Sequence, residues 1–237
     1  MVACPVAARS PRSLCGNTLL LAYHVMHSDY LTLKKDLEAI RQANLAEAVA
    51  NERMASTIVT HLNPPLKEED VASFESRHAV QLPAEYRKFL LTIANGGVGP
   101  VGGLERLGEF GGKDWNELPG LVGDLSTPFP YTDKWNVKPI DGSLPVHQQY
   151  EQQDWYWDRQ HVHGAIPICD LGCGLRQLLI VAGPERGNIW FDDRADWQGL
   201  YPDENDNRKR VSFLEWYSHW AGNKLNSIRR QQPPADA

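Results

Sequence analysis

The sequence predicts an α+β fold in which helices precede and follow an antiparallel β-meander. Apolar residues recur at helical spacing in segments between residues 29 and 95, and short apolar runs bounded by glycines lie between residues 165 and 192. Of the 237 residues, 42% are hydrophobic, which is enough to form the core of one ordinary domain with extensions.

The N-terminal region divides at about residue 28. Residues 1–27 show no periodicity and receive no assignment. Residues 29–60 contain neither glycine nor proline and are predicted to be helical, either as one helix or as two with a break near Asn44. Pro64 and Pro65 end this element. Its apolar stripe follows the spacing i, i+4, i+7 and begins with Leu33, Leu37 and Ile40.

Three further helices are predicted from their end signals. Residues 67–79 have three acids in the first turn, Glu68, Glu69 and Asp70, where the helix dipole favours them. Residues 83–95 begin at a proline and end before Gly96 and Gly97. The last helix starts at Ser212, with Glu215 at the spacing of a capping box, and the tail after Gly222 is expected to fray.

The clearest strand signals follow a long irregular region. Residues 98–163 are rich in glycine, proline, aspartate and tryptophan, and short strands with long loops are expected there. Residues 165–170, 175–182 and 188–192 are then predicted strands, joined by glycine turns. The apolar run within 175–182 is typical of a central strand covered on both faces, and residues 193–210 are expected to be irregular.

The charge distribution excludes some partners. The formal net charge is −6, and residues 61–222 hold 15 basic and 24 acidic residues, a balance of −9. Nucleic acid is a poor partner for such a surface, because binding it requires Lys and Arg to neutralise phosphates. A basic protein would instead be attracted.

The remaining composition favours the cytoplasm. Four cysteines are too few for a disulfide scaffold in a chain of this length, so a reducing compartment is expected. Apolar runs are too short to span a bilayer, and no membrane association is expected. The apolar stretch near Leu19 is short, and no small-residue cleavage site follows it, which argues against a signal peptide.

Several motifs resemble the SUKH superfamily, the Smi/Knr type of yeast cell-wall-synthesis regulators and bacterial toxin-immunity proteins. The similarity covers roughly residues 61–222, leaving 1–60 as an extension and 223–237 as a polar tail. The motifs are Leu82-Pro83, Glu85-Tyr86-Arg87, Phe89-Leu90, Asn95-Gly96-Gly97, Ile166-Pro167-Ile168, Gly172-Cys173-Gly174, Leu179-Ile180-Val181, Gly183, Gly187, Ile189-Trp190 and Ser212-Phe213-Leu214-Glu215-Trp216.

This resemblance implies a twisted, mostly antiparallel sheet with flanking helices, and a function in binding rather than catalysis. It implies an immunity protein that neutralises a co-encoded toxin, and the acidic surface makes a basic toxin domain the expected partner. Two alternatives are a regulatory scaffold without a toxin and a thiol- or metal-dependent enzyme. No cofactor is expected.

Five residues are predicted to contact the partner. Trp155 and Trp157 are adjacent to acids, and their spacing on an expected strand suggests that at least one of the neighbouring aromatics is exposed as an interface anchor. Asp192, Asp193 and Asp196 follow the last predicted strand and are expected to form a solvated acidic rim, since they lack the twelve-residue frame of a calcium loop.

A second cluster contains residue types that could form a metal or thiol site. His161, His163, Cys169 and Cys173 lie within thirteen positions, and all are zinc-ligand types. Their spacing is not that of a zinc knuckle, and Cys169 is expected in the sheet core, so no metal is predicted. Cys173 with either histidine is the one conceivable nucleophile–base pair, and no nucleophile-elbow motif surrounds it.

Overall fold

A computed structural model describes residues 15–51, 58–118, 120–137 and 143–231, with side chains from Tyr30 onward. Residues 1–14, part of the segment without periodicity, lie outside the described residues. The elements in chain order are α1 (Cys15–Ala50), α2 (Glu68–Arg77), α3 (Ala84–Thr92), β1 (Glu109–Phe110), β2 (Lys113–Asp114), α4 (Val146–Trp157), β3 (Ala165–Gly172), β4 (Leu175–Ile180), β5 (Ile189–Asp193), β6 (Gly199–Pro202) and α5 (Phe213–Gln231).

These elements confirm the predicted α+β class. Strands β3 to β6 form one antiparallel sheet in the order β3-β4-β5-β6, and β1 and β2 form a small antiparallel ribbon. The meander was expected with three strands. The fourth, β6, falls in residues expected to be irregular, and it pairs Tyr201 with Phe191 of β5.

The central sheet is covered on both faces, as the apolar run in β4 predicted. Leu179 packs into the larger core, which includes buried residues of α1, α2, α3 and α5. Its neighbours Leu178 and Ile180 point the other way, into a smaller core with Phe129 and Trp190. Because side chains alternate along a strand, one apolar run supplies both cores.

The N-terminal helix is part of the larger core. Leu33, Leu37 and Ile40 are buried there, as their spacing predicted. The helix is continuous through Asn44, whose side-chain amide donates to the Val59 carbonyl oxygen at 2.8 Å. It begins at Cys15, before the predicted start, and ends at Ala50; residues 52–57 of the predicted helix lie outside the described residues.

Two helical segments differ from the prediction. Helix α4 lies within the region expected to contain strands and loops, so Trp155 and Trp157 belong to a helix rather than a strand. Helix α5 continues past Gly222 to Gln231, because Leu225 and Ile228 pack against the larger core instead of fraying. Among the described residues, we find no helix with the length and apolar character needed to cross a membrane.

Candidate functional site

Helix α4 carries several exposed apolar side chains. Of its twelve residues, all within the described part of the chain, Tyr156 alone is buried. Val146 and Tyr150 are exposed, and with Trp157 they follow the spacing i, i+4, i+11, which places them on one side of the helix. Exposed apolar side chains grouped in this way are typical of an interaction surface.

Three tryptophans at one end of α4 remain partly exposed. Trp155 is 47% exposed and Trp157 is 37% exposed. Trp197, in the turn between β5 and β6, is also 37% exposed, and its ring stacks on Tyr156 with centroids 5.0 Å apart. Trp155 and Trp157, two positions apart, lie on opposite flanks of the helix. We call the set of Trp155, Trp157 and Trp197 the tryptophan surface.

Acidic side chains accompany the tryptophan surface. At 3.6 residues per turn, Glu151 and Asp154 lie between Trp155 and Trp157 on the helix circumference. Both acids are exposed, as are Asp158 at the end of the helix and Asp196 beside Trp197. Helix α4 contains neither lysine nor arginine, although the exposed Arg159 follows Asp158. The exposed acids outnumber this cation and favour a cationic partner.

The turn that carries Trp197 has an uncommon backbone. Trp197 has a φ of 59°, in the left-handed region where bulky residues are rare. The turn is closed by the Gln198 amide, which donates to the Asp193 carbonyl at 2.9 Å, and by the Asn136 side chain, which donates to the Trp197 carbonyl at 2.6 Å. These bonds hold the ring against Tyr156 despite the local strain.

A buried ion network lies under this surface. Arg194 is 1% exposed, and its guanidinium donates two bonds of 2.8 Å to the carboxylate of Asp192. Asp192 also pairs with Arg176 on the neighbouring strand. Burial alone would raise the pKa of Asp192, but its hydrogen bonds with Arg194 and the charges of both arginines outweigh burial and lower that pKa.

A buried histidine completes the support. His161 is stacked on Trp135 at 4.3 Å, and its two ring nitrogens lie 2.5 Å from the Tyr131 hydroxyl and 2.8 Å from the Trp155 carbonyl oxygen. A carbonyl only accepts, so Nε2 carries the proton and Nδ1 accepts from Tyr131. Burial lowers the pKa of His161, which favours this neutral form.

The acidic rim expected from the sequence is only partly present. Asp192 and Asp193 are buried and do not project from a turn, which corrects that expectation. Strand β5 extends through Asp193, so Asp192 faces the ion network, and Asp193 accepts a bond from the Tyr201 hydroxyl at 3.2 Å. Asp196 is exposed as expected. The partner-binding role of Asp196, Trp155 and Trp157 stays a prediction.

The residues weighed as metal ligands occupy different environments. His161 uses both ring nitrogens, and Nδ1 of His163 accepts from the Asp124 amide at 2.8 Å. Cys169 is buried, as expected, and burial raises its thiol pKa to about 12, whereas Cys173 is exposed in a turn. Within the described ranges, no three His, Cys, Asp or Glu side chains are grouped to hold a metal ion.

Sequence reasoning did not find Trp197 or Arg194. Trp197 lies in residues 193–210, a range expected to be irregular, and no apolar periodicity there identified its ring. Arg194 gives no signal either, because its burial depends on the pairing of β5 with β4 and on the position of α4.

The histidine under the surface makes stability depend on pH. The pKa of His161 lies below the unfolded value of 6.5, so the unfolded chain binds more protons and stability is lost as pH falls below 6.5. We expect a smaller loss of unfolding free energy between pH 7 and pH 5 in His161→Phe than in the natural chain, measured by urea denaturation. Equal losses in both proteins would contradict this assignment.

The comparison with known families gives one match. The model of the SMI1 / KNR4 family (SUKH-1) matches residues 65–216. This match covers more than half of the chain, and the chain belongs to that family. No curated protein and no solved structure matches it. The matched range includes α4 and the β5–β6 turn, and it excludes α1.

Proposed function

We propose that this member of the SMI1 / KNR4 family (SUKH-1) is a non-catalytic, cytoplasmic immunity protein that binds and blocks a basic toxin domain. The observation that carries the proposal is the tryptophan surface, with Glu151, Asp154 and Asp196 exposed beside it. Family membership supports an immunity or regulatory role, and the acids favour a basic partner over a neutral one.

The chemistry of the surface suits protein recognition. Tryptophan is enriched among residues that dominate binding energy, because it buries a large rigid area when an interface closes. A partner's Arg or Lys side chain can lie against an indole face while the adjacent carboxylates attract its charge. A second copy of this chain is a poorer partner, since two acidic helices would face each other.

The strained backbone at Trp197 also supports a binding role. A left-handed φ at a large side chain costs free energy, and such positions concentrate at functional sites. The ring is only partly buried, so core packing does not account for the residue as it does for Trp190. Contact between the exposed part of this ring and a partner accounts for a tryptophan at this strained position.

Two observations favour binding over thiol or metal catalysis. Cys173, the conceivable nucleophile, is exposed in a turn, and within the described residues no hydrogen bond joins it to His161 or His163. His161, one of the two candidate bases, is hydrogen-bonded to Tyr131 and Trp155 through both ring nitrogens. Neither residue is arranged as an activated nucleophile with a partner base.

The proposal is tested with the polypeptide encoded beside this chain's gene. Expressed alone it should arrest growth of a bacterial host, and co-expression of the full chain should restore growth. Co-expression of the Trp155→Ala, Trp157→Ala double variant should restore growth poorly. A neighbouring polypeptide that binds the chain without being toxic would favour the regulatory scaffold, and absence of both toxicity and binding would overturn the immunity role.

A further inference from the structure

The C-terminal end of α4 has one backbone capping bond, from the Asp158 amide to the Trp155 carbonyl. The last four carbonyls of a helix have no partner within it, and the last turn of α4 contains no basic side chain. Tyr156 is the buried anchor of the helix. The orientation of Trp155 and Trp157 therefore depends on what other elements supply to this turn.

Arg194 supplies one of these contacts from the β5–β6 turn. Its Nη1 donates to the Tyr156 carbonyl oxygen at 3.3 Å, while its other nitrogens are held by Asp192. The guanidinium carbon also lies 5.3 Å from the centre of the Trp157 ring. A fixed positive charge here complements the negative end of the helix dipole, and the planar fork reaches both partners at once.

His161 supplies the second contact from the segment that follows α4. Its Nε2 donates to the Trp155 carbonyl at 2.8 Å, an oxygen that the Asp158 amide also reaches at 3.1 Å. Its ring meets the Trp155 ring edge-on, with centroids 4.8 Å apart. The carbonyls of two successive residues are thus bonded by buried side chains from two different elements.

We propose that Arg194 and His161 are positioning residues that cap the last turn of α4 and hold Trp155 and Trp157 in their binding orientation before a partner arrives. This inference rests on the proposed function in treating the tryptophan surface as the binding site. Because these contacts order the two rings before binding, the binding free energy does not include the entropic cost of ordering them.

The test is hydrogen exchange of the full chain without any partner. In Arg194→Lys, which keeps the charge but loses the fork, amides in the last turn of α4 should exchange about tenfold faster, while amides of α3 keep their rates. The control is Arg186→Lys, whose guanidinium donates to the Gln81 and Leu82 carbonyls at 3.1 and 3.0 Å. That control should leave the exchange rates of α4 unchanged.

A second variant tests the same role if Arg194→Lys does not fold. His161→Phe retains a ring between Trp135 and Trp155 but removes the bond to the Trp155 carbonyl. It should also accelerate exchange in the last turn of α4. If either variant raises exchange uniformly across α3, β4 and α4, its residue acts in global stability alone and the positioning role is overturned. Unchanged α4 rates in both folded variants would overturn it as well, whatever the partner proves to be.

Discussion

Replacing Asp192 with alanine should lower the free energy of unfolding by about 3–5 kcal/mol, because it leaves a buried arginine without its counter-charge. Arg194 is fully enclosed, and Asp192 accepts both of its shortest bonds. Arg176, on the adjacent strand, loses the same partner. The Tyr156 carbonyl alone cannot balance a buried guanidinium.

Chemical denaturation of the full chain measures this effect directly. The matched control is Asp196→Ala, four positions along the same hairpin, where the carboxylate is exposed and the change should stay within about 0.5 kcal/mol. Similar small losses for the two variants would mean that Asp192 is solvated, contrary to the buried ion network described above.

Replacing Leu37 with alanine should cost about 2–5 kcal/mol, the range for deleting a buried leucine side chain. Leu37 is fully buried in the larger core, and its helix α1 packs against α5, although α1 lies outside the residues that match the family. The loss would show that α1 stabilises the domain rather than extending from it.

The same helix provides the control for this measurement. Leu45 is 43% exposed, so Leu45→Ala removes an equal number of atoms with a change expected near 0.5 kcal/mol or less. If Leu37→Ala is as mild as Leu45→Ala under identical denaturation conditions, then α1 is not packed into the core in solution.

The predicted elements were those with a strong periodic signal. The stripe from Leu33 to Ile40 faces one core, and the apolar run of β4 serves two, so both patterns could be identified without knowing the fold. Helix α4 gave no such signal, because a helix that buries only Tyr156 does not need an apolar face toward the domain. Its apolar residues are exposed instead.

Only part of the candidate site was predictable from the sequence. Trp155 and Trp157 are aromatic residues flanked by acids, a pattern that predicts exposure of at least one neighbouring ring, and both are partly exposed. The burial of Asp192 depends on register, which places it opposite Arg176. A single sequence does not reveal which residues face each other across two strands, so a polar run after a strand was interpreted as a rim.

The central claim is that the tryptophan surface binds a protein, and biolayer interferometry against the purified neighbouring polypeptide tests it most directly. Trp155→Ala and Trp157→Ala should each weaken binding by about 2 kcal/mol or more, roughly thirtyfold in Kd, mainly through faster dissociation. Leu45→Ala, an exposed apolar truncation on α1, should bind like the natural chain. Unchanged affinity in both folded tryptophan variants would contradict the claim.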